Sequence, residues 1–243
     1  MALTGGIIMA DFGQGFLINP FICSTDEFTA DRQYLHDEIF PQLQVRCQDR
    51  AGGFKPFEWD HNLSTDRLQT GLSLQLAMDC IQRAAPYFIG LVGDLYGDYR
   101  APESATLPDS IEDLPQNADW IDKSLLYAAE YGYDWVLNEM YNSTSFFELK
   151  IAQAAFIMED TSFCRFYIRQ TDEELTASGY AKFRLQQLKS SLAKRGLHVA
   201  YFTTKEQLGE LVLRDWLEII DRVYPRLDLE QNGTHYLYLI NSQ

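Results

Sequence analysis

Three short apolar runs alternating with two amphipathic segments between residues 16 and 100 constrain this chain more than any other feature. The runs are Phe21-Ile22-Cys23 at the end of 16–23, Phe54-Lys55-Pro56-Phe57-Glu58-Trp59, and Tyr87-Phe88-Ile89-Gly90-Leu91-Val92. Between them Phe28, Leu35, Ile39, Leu43 and Cys47 recur at helical spacing, as do Leu72, Leu76 and Cys80. Strand, helix, strand, helix, strand is the pattern of a parallel sheet, because parallel neighbours need a crossover and the crossover is usually a helix. Runs this apolar are strands buried on both faces. Ligands of such sheets collect beyond the strand carboxyl ends, so the loops starting at Ser24, Asp60 and Gly93 are the ones to watch.

The prolines refine this reading. Pro20 and Pro56 cannot donate to a ladder, so they leave Phe21 to Cys23 as the regular part of the first strand and mark the second as edge-like. Pro41 predicts a kink or an early break in the first helix. Asp79 and Arg83 are spaced as an outward i,i+4 pair on the second helix, over 68–84. Residues 101–119 hold three prolines and five acidic residues, which predicts an exposed insertion. The aromatic-rich segment 119–141 follows, predicted helical and packed between helices, with a partner-facing surface as the alternative. Further on, a helix opens at Ser145 and ends near 160, strands are predicted over 163–169 and 198–202, and helices over 181–195 and from 203 onward. The domain then spans 16–225 with a helical elaboration over 101–142, a lead-in over 1–15 and a tail over 226–243.

Charge narrows the partners. A formal net charge of −15 and a pI near 4.6 repel nucleic acid and anionic membrane surfaces, so neither is expected as a partner. No run reaches the length of a membrane span, and the first residues lack the basic region of a secretory signal. The four cysteines are scattered without a C-x-x-C spacing, and His36, His61, His198 and His235 have no ligand-like spacing to acids or cysteines, so no metal is expected. These features fit a reduced, cytoplasmic protein.

Several words recur in one order: Phe21-Ile22-Cys23-Ser24-Thr25, Asp31-Arg32, Ile39-Phe40-Pro41-Gln42-Leu43, Gly90-Leu91-Val92-Gly93-Asp94-Leu95-Tyr96-Gly97, Ser145-Phe146-Phe147-Glu148-Leu149, and Gln207 to Asp215. In this the chain resembles the TIR-like N-terminal domain found in nephrocystin-3, telomerase-associated protein and the NACHT/WD-repeat proteins. The resemblance runs over about 16–224 and departs at Asp31, where relatives carry Glu, and at Trp59-Asp60-His61-Asn62. It implies an α/β fold, a TIR-like or flavodoxin-like parallel sheet of about five strands with helices on both faces.

The resemblance also implies chemistry to look for. In TIR enzymes that cleave the nicotinamide–ribose bond a glutamate on the corresponding helix is central, and Glu148 stands in a similar word, with Ser145 orienting or capping. A carboxylate there would stabilise an oxocarbenium-like ribose or orient water. The same Ser-x-x-Glu spacing is a helix-capping signature that needs no catalysis. Ser24 and Thr25 offer hydroxyls at a helix start, Arg32 suits either a structural ion pair or a phosphate, Trp59 could stack on a base, and Gly93, Asp94 and Tyr96 border the third strand. Gly93 to Gly97 has neither the Gly-x-Gly-x-x-Gly pattern nor a Walker lysine. The leading expectation is a signalling and assembly module that self-associates or binds a protein partner, without a cofactor. The alternative is an NAD glycohydrolase, with NAD as substrate.

Overall fold

The computed structural model describes residues 17–58, 71–171 and 179–225. Trp59, Asp60 and His61, the lead-in and the tail lie outside the described residues.

The first apolar run splits at Pro20 into β1 (Leu17–Ile18) and β2 (Phe21–Cys23). A short β3 (Gly53–Phe54) pairs in parallel with β1. The pairing continues past Pro56, where Phe57 bridges Phe21 and exchanges backbone bonds with Pro20 and Ile22. The four-stranded sheet runs β2, β4 (Tyr87–Val92), β5 (Phe163–Arg169), β6 (His198–Phe202), all parallel. Together the two sheets give the order second, first, third, fourth, fifth of flavodoxin-like proteins, whose switch point lies between the first and third strands.

Alternation along these strands feeds two cores. Ile22, Ile89, Leu91 and Tyr167 face a cluster with Phe28, Leu35, Leu43 and Trp216, beneath α1 (Thr29–Tyr34), α2 (Phe40–Gln48) and α7 (Lys205–Val223). Phe21, Phe88, Val92, Phe166 and Ile168 face the other, beneath α3 (Ser73–Ala84), α4 (Trp120–Ala128), α5 (Phe146–Ala152) and α6 (Tyr180–Lys194).

Several details differ from the sequence expectations. Pro41 neither breaks nor ends its helix. A π turn over Leu35–Ile39 precedes it, with Phe40 N–H bonding five residues back to Leu35, and this widened turn admits a residue that has no N–H to give. On α3 the buried stripe is Leu74, Ala77, Met78 and Ile81, while Leu72, Leu76 and Cys80 are only half-buried. The reason is that α3 is covered by α4 and α5 as well as by the sheet. Asp79, expected to face outward toward Arg83, accepts the Tyr133 hydroxyl at 2.7 Å. The aromatic segment is part core, through Tyr133 and the Trp135–Tyr141 edge contact, and part surface, through Tyr131. Gly132, at φ 98°, supplies the left-handed turn between them.

Opposite these helices, Asp215 on α7 is buried with the Tyr167 hydroxyl, His198 and Arg214 around its carboxylate. Burial pushes its pKa up, but the bonds and charges of His198 and Arg214 outweigh that and hold it below the usual aspartate range. This cluster fastens α7 to the sheet.

Candidate functional site

At the switch point lies a cleft of about 380 Å³ bounded by Ser24, Thr25, Tyr96, Trp120, Phe147 and Lys150. Three of the sequence candidates therefore line one cavity: Ser24, Thr25 and Tyr96. Their polar atoms, however, are engaged by the chain itself.

The first loop is tied down by Arg32. Its guanidinium donates to Ser24 Oγ at 2.7 Å and to the Thr25 carbonyl at 3.0 Å, and it pairs with Glu58 at 3.1 Å. Arg32 is 5% exposed, so it acts as a bolt between the first and second strand ends. Its neighbour Asp31 pairs with Arg169, which also stacks over Phe28.

The third loop is occupied by Glu27, a residue that the sequence reading passed over. After Val92 the backbone turns so that Asp94 N–H and Leu95 N–H point the same way, and the Glu27 carboxylate accepts from them at 3.1 and 2.9 Å. Thr25 Oγ1 donates to the same carboxylate at 2.8 Å. Convergent N–H groups of this kind form an anion nest, and here the anion is the chain's own side chain. A β-carbon on Gly93 would run into the Glu27 carboxylate, so the carboxylate would have to leave its place. Gly93→Ala should therefore expel Glu27 and cost about 2 kcal/mol, the worth of charge-assisted hydrogen bonds lost, measurable as a lower urea midpoint. The Asp94 side chain turns away, toward Thr171 and Lys189.

Glu148 lies on the other side of α5. Phe146, Phe147 and Lys150 face the cleft, whereas Glu148, two residues before Lys150 and thus about 200° around a helix from it, borders a second groove with Met140 and Arg184. Ser145 caps α5 by accepting from Glu148 N–H at 3.1 Å. The reciprocal half of the capping box runs through a third residue. Tyr96 Oη accepts from Ser145 N–H at 3.2 Å and donates to Glu148 Oε2 at 2.5 Å. Arg184 closes the set, donating to Glu148 Oε1 at 2.9 Å and to Thr144 Oγ1 at 2.7 Å. Burial first, then the Glu148 charge and hydrogen bond, push the Tyr96 pKa up, so the phenol stays a donor. Arg184 likewise remains cationic, since Glu148 and Tyr96 outweigh the burial that lowers its pKa. Among the described residues no cluster of three or more His, Cys, Asp or Glu is placed to hold a metal, and no helix is long and apolar enough to cross a membrane.

Comparison with known proteins fits this architecture into a larger context. The chain is 31% identical over 245 residues to tetratricopeptide repeat protein 41 of Rattus norvegicus, an alignment that covers 88% of this chain and 18% of that protein. The putative human counterpart is 30% identical over a similar span. This chain is homologous to one part of those proteins. It spans under a fifth of their length. A further match is local: 31% identity over 100 residues, 36% of this chain, to NACHT and WD repeat domain-containing protein 2 of Mus musculus. No family model and no solved structure matches.

Proposed function

We propose that this chain is a signalling and assembly module that works through protein contacts, the effector or adaptor domain of a NACHT-type switch protein acting in the cytoplasm. The observation that carries this reading is Glu27 seated in the Gly93–Leu95 nest. Convergent N–H groups of this kind are what would hold a phosphate, and they are taken by Glu27, while Arg32 and Glu148 are equally committed to partners within the chain. Supporting it, the relatives bear tetratricopeptide-repeat and NACHT/WD-repeat names, and such repeats stack into extended binding surfaces or propellers.

One observation favours a second reading. The cleft lies where open α/β sheets hold ligands, and its hydroxyls and aromatic rings suit a nucleotide. On that reading NAD is a substrate and Glu148 the central carboxylate, which would have to leave Arg184 and pass around α5. The experiment that separates the two is to follow self-association and nicotinamide release in the same purified sample. Association without release supports the module, and release supports the hydrolase.

A further inference from the structure

The charge of this acidic chain is unevenly placed. Residues 180–197 carry Lys182, Arg184, Lys189, Lys194 and Arg195 and no acid, whereas 101–119 carries Glu103, Asp109, Glu112, Asp113 and Asp119 and no base. Two segments of comparable length are thus +5 and −5 within a chain of −15.

The basic segment is α6 with the three residues that follow it, and beside it runs a groove of about 640 Å³ that Met140, Phe183, Arg184, Lys194 and Arg195 help to line. Two of its apolar residues are uncovered: Met140 is 68% exposed and Phe183 55%. Phe183 projects from the side of the helix opposite Leu185, Leu188 and Leu192, which are buried. Large apolar side chains rimmed by charge mark interaction surfaces. Arg184 and Lys189 are spent on Glu148 and Asp94, and Arg195 lies over Phe156, which leaves Lys194 without an ion-pair partner among the described residues.

The acidic segment has the complementary character. It is exposed at Glu103, Asp109, Glu112 and Asp113, none of which has an ion-pair partner among the described residues. Leu107, Ile111 and Leu114 are only half-buried between them. It is held in place rather than loose, through Ile111 N–H on Glu130 and through Arg100, which pairs with Asp122 and donates to the Ala105 carbonyl.

We propose that a second copy of this chain seats its 101–119 insertion in the groove beside α6. This rests on the reading of the chain as an assembly module and supplies its contact. Groove and insertion are different patches and each copy offers one of each, so the contact either repeats head to tail or is made twice across a two-fold axis, and the size of the assembly in solution distinguishes the two. Opposite charges meeting at exposed sites make it weaken with salt.

The test is sedimentation velocity across a concentration series, at about 50 mM and about 500 mM salt, for wild type, Lys194→Glu, Glu112→Lys with Asp113→Lys, and all three substitutions combined. All three sites are exposed, and matching circular dichroism spectra and melting temperatures confirm intact folds. The expected result is concentration-dependent growth at low salt. Each charge reversal should raise the apparent Kd about tenfold, and the combined variant should recover most of that loss, as an interface charge pair does. A monomer at every concentration overturns the proposal, as does association that the reversals leave unchanged or that the combination fails to restore. A monomer that binds a different protein ends this inference and leaves the module reading standing; turnover of NAD ends the module reading instead.

Discussion

Arg32→Ala should lower the free energy of unfolding by about 3–5 kcal/mol, the cost of breaking a buried, hydrogen-bonded ion pair on one side. The loss has several parts. Ser24 Oγ and the Thr25 carbonyl lose their donor, and Glu58 loses a cation at the edge of the sheet. Because Pro20 and Pro56 thin the ladder between the first two strands, Arg32 carries part of the joining that backbone bonds carry elsewhere. Arg32→Lys should rescue little, since an ammonium cannot span the guanidinium's separate partners. Urea unfolding with the slope compared across variants measures this. A phosphate-contacting arginine would instead leave stability nearly unchanged.

Glu148→Gln should destabilise by about 2–3 kcal/mol, more than a simple helix cap is worth. The excess comes from Arg184, which loses its counter-ion in a half-buried site, and from Tyr96, whose phenol loses a charged acceptor. Tyr96→Phe should cost about 1–3 kcal/mol, because Ser145 N–H is then buried without an acceptor. The two substitutions share one network, so the double variant should lose clearly less than the sum. Additive losses in thermal or urea unfolding would mean that Tyr96 and Glu148 act separately.

Much of the fold was legible because buried parallel strands are written as apolar runs. The third and fourth strands begin and end where Tyr87–Val92 and Phe163–Arg169 do, and Pro20 marks the split in the first. The face of α3 was not legible, because three neighbours cover it and period alone names one stripe. Exposure of Phe183 and engagement of Asp79 were hidden for the same reason: both depend on what a distant segment brings. At the site, the Ser145 cap was readable from four residues. Tyr96 within it was not, being 49 positions away. Glu27 could have been suspected, since an acid two residues after Thr25 faces a Gly-Asp-Leu turn in a doubly wound sheet, but only the crossing geometry places it in the nest.

On the proposed reading the polar groups at the strand ends serve the chain itself and not a substrate. The most direct measurement is nicotinamide release from NAD by wild type and by Glu148→Gln, at the highest protein concentration of the sedimentation series. No release above buffer is expected from either protein. Release by the wild type that disappears in a folded Glu148→Gln variant would contradict that reading.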